Sequence, residues 1–306
     1  MLLAAFIEVL LPVLVVVGSG YALRRSFPID ARSLNRVSMY VLGPALIFTT
    51  LVRIEIGGGE ALRITLASAL LCLGMGALTA VVGRLLRLEQ TSLAALLLCT
   101  MFMNSGNYGL PTTRFAFGEA GFERALLFFI AQTILAQVLA IPIARSGNGD
   151  LRSALIQILR MPQIYAVAAG LTARFSGLEL PDRTDAFGAV YQGVALLSQA
   201  ALPLLLLLLG MQLAQSVAIE DYRLTALAVG LRLVASPLLA WGISSLLQLD
   251  DLAMRVVILE ASMPSAVNMV LYSIEFGARP GFVAGVVVVT TLLSLLTLTF
   301  LLYLIR

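Results

Sequence analysis

Apolar runs of about twenty residues, divided by short polar stretches, recur along the whole chain, and about twenty such residues carry a helix across a bilayer. Ten candidate spans follow: Leu3–Leu23, Val37–Leu51, Leu62–Leu85, Leu93–Phe115, Ala125–Ala144, Ala154–Phe175, Phe187–Leu209, Leu224–Leu247, Leu252–Phe276 and Phe282–Leu304. The second is short and extends toward Asn35; the sixth holds Arg160, so its membrane part starts after that residue. The pattern predicts an all-α polytopic membrane protein of ten transmembrane helices. Residues 1–145 form a first five-helix repeat, 146–152 a polar linker, and 153–306 a second five-helix repeat.

Two spans are not smooth. Asn104-Ser105-Gly106-Asn107-Tyr108-Gly109-Leu110-Pro111 interrupts the fourth, and Met263-Pro264-Ser265-Ala266-Val267-Asn268 interrupts the ninth. Backbone groups in hydrocarbon must be hydrogen-bonded. Proline removes a donor and displaces the carbonyl four residues back. Pro111 is therefore expected to free the carbonyl of Asn107, and Pro264 that of Glu260. Each break opens a half-helix whose first N–H groups carry partial positive charge and can receive an anion. Asn104 and Asn107, three residues apart, share a face if the helix persists. Asn268 would face them if the two breaks cross. Simple kinking of packed helices is the alternative, but paired discontinuities in corresponding halves are the better pointer to a binding site.

The halves also echo one another. Pro12 and Gly20 recur as Pro162 and Gly170 at an offset of 150. Pro44 recurs as Pro203, and Phe117-Gly118 as Phe276-Gly277, at 159; Gly121-Phe122 answers to Gly281-Phe282 with one extra residue. An odd number of spans per repeat places the halves in opposite orientations, as in secondary transporters.

Composition narrows the chemistry. The chain is 60% hydrophobic and 12% charged, with mean hydropathy +0.98. All basic residues are Arg, and there is neither Lys nor His, which excludes His triads and His-ligated metals. The net charge of +3 is spread over short loops and makes no nucleic-acid patch. Cys72 and Cys99 lie inside spans and read as buried small hydrophobes. Loops after the odd-numbered spans hold eleven Arg against eight on the other side, which predicts both termini on the non-cytoplasmic side of the inner membrane. The apolar start, with no basic residue before it, reads as a retained span.

Ionisable residues within spans are costly and usually functional. Glu260 is the candidate for a coupling proton or sodium ion. Arg232 could contact a substrate carboxylate, pair with Glu260, or form a structural ion pair. Glu8 reads as a surface-reaching residue, and Gln132 and Gln137 as interhelical hydrogen-bonding groups. Gly147-Asn-Gly149-Asp150 matches the GxGD string of intramembrane aspartyl proteases but lies in the polar midpoint loop, and Gly57-Gly58-Gly59 lacks the Lys of a phosphate loop. No enzymatic constellation is present, and no cofactor is expected.

The segment Asn104–Pro111 resembles the fourth-span motif of the auxin efflux carrier family. Leu34-Asn35-Arg36-Val37 leading to Pro44-Ala45-Leu46-Ile47-Phe48 resembles its second span, and Leu231-Arg232-Leu233 followed by Pro237 its eighth. The resemblance implies two inverted five-helix repeats, crossing helices four and nine, and an elevator-like movement of one domain against a scaffold. It implies a small organic anion as substrate and a homodimer. Carried onto this chain, it makes Asn104, Asn107, Pro111, Pro264 and Asn268 look like the crossover residues; together with Tyr108 and Arg232 they are the substrate-binding candidates. Two other readings compete: a sodium-coupled symporter resembling the bile-acid carriers, whose Glu-x-x-x-Gln-Asn string is replaced here by Glu260…Pro264-Ser265, and a membrane ligand sensor that moves nothing.

Overall fold

The computed structural model describes residues 2–144, 159–177, 180–215 and 218–306. The expected linker 146–152 lies outside the described residues, as does the GxGD string. Among the described residues all regular structure is helical, apart from one isolated bridge. In chain order the helices are α1 (Leu2–Ser26), α2 (31–53), α3 (Gly58–Leu85), α4 (Gln90–Met101), α5 (105–117), α6 (119–144), α7 (Pro162–Phe175), α8 (Ala186–Leu213), α9 (Tyr222–Leu246), α10 (Asp251–Ala261), α11 (Asn268–Phe276) and α12 (Pro280–Ile305). The boundary between α5 and α6 is Gly118, at φ 67° and ψ −160°. Among the described residues, six stretches are long and apolar enough to cross a membrane: α1, α3, the run Ser105–Ala140, α8, α9 and α12. Helices α4, α10 and α11 are shorter because the breaks divide the fourth and ninth expected spans, and α7 covers only the later part of the sixth.

Local chemistry explains the punctuation. Asp30, Asp185, Asp221 and Asp250 each cap a helix start, accepting from backbone N–H groups of the first turn. Four helices contain a π turn: Phe6–Leu10, Ser38–Leu42, Ser105–Gly109 and Leu231–Ala235. Each ends two residues before a proline: Pro12, Pro44, Pro111 and Pro237. The proline ring cannot tolerate the carbonyl four residues earlier in an ideal helix. One wider turn absorbs the misfit while keeping most of the ladder intact.

The described helices sort into two compact bodies that are not the two sequence halves. One comprises residues 1–13, 57–155 and 215–306; the other comprises 14–56 and 156–214. In the smaller body, α7 and α8 pack against α2. Thr49 Oγ1 donates to Ser198 Oγ at 2.9 Å, and Arg53 Nε to the Tyr191 hydroxyl at 2.8 Å. Small residues let backbones approach closely where lipid removes the usual hydrophobic drive. Thus Gly20 on α1 lies against the Leu207 backbone carbonyl, and Gly170 on α7 against that of Phe48. In the larger body, Ser68 Oγ donates to the Phe128 carbonyl at 3.0 Å, joining α3 to α6. Arg124 reaches Glu60 at 2.7 Å and Asp250 at 3.7 Å, tying α6 to the starts of α3 and α10. Cys72 and Cys99 are free and buried.

The contact at Gly20 is testable. A side chain there meets main chain that cannot yield, whereas Gly18 faces open space. Gly20→Val is expected to destabilise the protein by about 1–3 kcal/mol, the usual cost of overpacking, while Gly18→Ala leaves the melting temperature unchanged. Equal melting temperatures for the two variants in detergent would contradict the packing described.

Candidate functional site

The two breaks meet. Helix α4 ends at Met101, and the chain runs extended through Phe102 and Met103 before α5 begins after Asn104. Helix α10 ends at Ala261, and residues 262–267 lead into α11. Met103 and Ser265 form an antiparallel bridge. The Asn104 N–H donates to the Pro264 carbonyl at 2.8 Å, and the Ala266 N–H to the Phe102 carbonyl at 2.9 Å. Each interrupted strand thus satisfies backbone groups that the other's break left open, as a membrane interior demands. Further side chains complete the seal. Ser265 Oγ donates to the Cys99 carbonyl at 2.7 Å, and Thr290 Oγ1 accepts from the Ser265 N–H at 3.2 Å. Gln132 Nε2 donates to the Met103 carbonyl at 3.0 Å.

Arg232 sits where two helices end. It is fully buried at the π turn of α9. Its Nη1 donates to the Thr100 carbonyl in the last turn of α4 at 2.6 Å, and its Nη2 to the Ala261 carbonyl, the last of α10, at 2.5 Å. Nη2 also donates to Ser236 Oγ, which itself donates to the Ala261 carbonyl at 2.8 Å. Terminal carbonyls of a helix have no intrahelical partner, and each C-terminus carries roughly half a negative charge. Two such ends nearly balance one guanidinium. Arg232 is therefore a shared C-cap, which explains how a full charge is accommodated without a carboxylate. It takes part in none of the ion pairs, so the alternative of a bond to Glu260 is not what the side chain makes.

Glu260 is fully buried near the end of α10. Its Oε1 accepts from Thr113 Oγ1 of α5 at 2.8 Å, and its Oε2 has no partner. The carboxylate rests on the backbone of Gly109, where an added Cβ would come within 2.8 Å of the carboxyl carbon. Gly106 likewise leaves room for the Phe129 ring. The carbonyl expected to be bare at Glu260 is taken: it accepts from the Met263 N–H at 3.2 Å. The tight turn after α10 reuses that group, and the carbonyl left for side chains is that of Ala261.

The other expected residues fall in graded positions. Asn104 is buried, with its Nδ2 unpartnered; Asn107 is half-buried; Asn268 opens α11 and is exposed. Pro111 and Pro264 are buried. Tyr108 is buried, with its hydroxyl toward Ser294 on α12. Ser105, Thr113, Ser236, Ser265 and Thr290 were missed by sequence reasoning. One signal was available: Met103-Asn104-Ser105 and Met263-Pro264-Ser265 repeat at an offset of 160.

The capping role separates two expectations for Arg232. Arg232→Ala leaves the Thr100 carbonyl short of its side-chain donor, at about 1–3 kcal/mol, while the Ala261 carbonyl keeps Ser236 Oγ; the variant is expected to lower the melting temperature. Arg232→Lys keeps the charge but not the fork that spans two carbonyls, and is expected to fall in between. A Lys variant that melts like the wild type yet loses ligand binding would instead make Arg232 a substrate contact.

Comparison with known proteins places the chain. The model of the family described as "Membrane transport protein" matches residues 5–150 and 150–302. The chain is 31% identical over 298 residues to an "Uncharacterized transporter" of Methanothermobacter thermautotrophicus, covering 95% of each chain. It is 27% identical over 299 residues to an uncharacterized transporter of Methanocaldococcus jannaschii, covering 95% of this chain and 96% of the other. It is 27% identical over 282 residues to a Rhizobium meliloti protein named "Putative malonate transporter", covering 89% of this chain and 86% of the other. The matched residues include both interrupted helices and the polar groups that close them. This chain is an integral, multi-pass membrane transport protein and belongs to the membrane transport protein family, the auxin efflux carriers.

Proposed function

We propose that the protein is a secondary carrier for a small organic anion, a carboxylate such as malonate, with its substrate seated at the helix crossing. The observation that carries this reading is the unpartnered amide of Asn104, buried where α5 begins beside the start of α11. The first N–H groups of α5 lack intrahelical acceptors, whereas those of Met269 and Val270 in α11 donate to the Ala266 and Val267 carbonyls; the dipoles of both helices favour negative charge. Asn107 and Asn268, more exposed, stand at the same two helix starts and complete the polar set. The relative named for malonate supports a carboxylate as substrate.

The ten-helix inverted repeat belongs to this reading. Gly20 and Gly170, matched at 150, face the carbonyls of Leu207 and Phe48, themselves matched at 159. Gly118 and Gly277, matched at 159, both turn the chain at positive φ, 67° and 72°. Such agreement between equivalent contacts supports two related halves of opposite orientation. Every residue of the crossing belongs to the larger body, which draws on both halves. That supports an elevator-like alternating access in which one body carries the site. Both termini lie on the non-cytoplasmic side of the cell membrane, and the carrier works as a homodimer.

A ligand that binds only the folded protein stabilises it by mass action, by about 2.7 kcal/mol at one hundred times Kd. Malonate is expected to raise the melting temperature of the detergent-purified protein with or without sodium. Asn104→Ala is expected to abolish that shift while leaving the unliganded melting temperature within a few degrees. No shift with any mono- or dicarboxylate would overturn the reading, and a shift requiring sodium and a bile acid would favour the bile-acid type of symport.

A further inference from the structure

We propose that Glu260 is the seat of a coupling proton, bound together with the anion, so that the carrier is a proton–carboxylate symporter; this rests on the proposed carboxylate site. The carboxylate has one neutral donor, Thr113 Oγ1, on Oε1 and none on Oε2. A bare carboxylate in that setting costs several kcal/mol unless it is paired. On the elements packed against α10, the buried ionisable groups are Tyr108, Cys72 and Arg232, and Arg232 is committed to the helix ends. Arg114, next to Thr113, is exposed and pairs with Glu119. None of these is a counter-charge in contact with Glu260.

A sodium ion would need several oxygen ligands. The side chains set against the carboxylate bring two hydroxyls, that of Thr113 and that of Ser105, which lies beside it. A proton needs only one acceptor. Ser105 Oγ spends its own hydrogen on Gln132 Oε1, at 2.5 Å, and keeps its lone pairs free. The proton, drawn from bulk water, forms an O–H bond at Oε2 that donates to Ser105 Oγ. The chain then runs from Glu260 to Ser105, to Gln132, and on to the Met103 carbonyl at 3.0 Å. Met103 precedes Asn104, so the protonated acid completes a chain that braces the anion site. An ionised Glu260 would compete with Gln132 for the Ser105 hydrogen and release that brace. It would also place a like charge on the other side of Ser105 from the bound anion, which disfavours both. Proton and anion therefore bind with positive linkage.

Two measurements test this and keep its failure distinct from that of the carboxylate reading. Infrared difference spectra of wild type minus Glu260→Gln, across the acid and neutral range, are expected to contain the C=O stretch of a buried carboxylic acid. Sodium should not remove it. Its absence at every pH, or its loss on adding sodium but not potassium, would overturn the proton site whatever the substrate. At the alkaline pH where that band is lost without ligand, malonate added to weakly buffered wild type is expected to take up as much as one proton per anion bound, and to take up none in Glu260→Gln that still binds it. Malonate binding without proton uptake in the wild type would overturn the coupling. If no carboxylate shifts the melting temperature, the carrier reading fails, and the infrared result alone decides the proton site.

Discussion

The crossing depends on one side chain. Two helices stop inside the protein, each presenting unsatisfied carbonyls to an interior where water does not compete. Arg232 answers both with one guanidinium, bonding Thr100 of α4 and Ala261 of α10. Two half-charges of one sign meet a single charge of the other, so no carboxylate is needed. The opposite ends are arranged differently: the helices that follow the crossing, α5 and α11, begin with N–H groups and asparagines. Arg232 closes the carbonyl ends, and at the start of α11 the Met269 and Val270 N–H groups donate to the Ala266 and Val267 carbonyls, while the Asn104 Nδ2 amide keeps no partner. That unpartnered amide is the basis on which an anion site is proposed.

The backbone bridge gives the crossing its register. With Asn104 bonded to Pro264 and Ala266 to Phe102, neither segment can slide by one residue without losing both bonds. Glycines set how closely the neighbours approach: Gly109 lets the Glu260 carboxylate lie on the backbone of α5, and Gly106 admits Phe129. The interrupted segments are thus tightly packed in place.

Much of this was legible from residues alone, where the cause is local. The break positions follow from Pro, Gly and Asn in apolar runs, because a missing donor within one turn is visible in sequence. The matched spacing of Gly20 and Gly170 was legible, and the structure gives each glycine a physical reason in the carbonyl it faces. What was not legible depends on distant partners. The acceptors of Arg232 lie 132 and 29 residues away, and the Thr113 donor 147 residues from Glu260. The carbonyl of Glu260 was misjudged for a subtler reason: the rule for proline names the bond lost, but a tighter turn through Met263 supplied another. The first, third, seventh, eighth and tenth expected spans fall on long apolar helices, while the fourth and ninth proved to be pairs of short helices.

The central claim is that the N–H ends of the crossing hold a carboxylate. The most direct measurement is a density map of the protein in a lipid nanodisc with malonate present. The account predicts density for the anion within hydrogen-bonding distance of Asn104 Nδ2 and the first N–H groups of α5 and α11. Malonate density elsewhere, with Asn104 Nδ2 bonded to the protein itself, would contradict it.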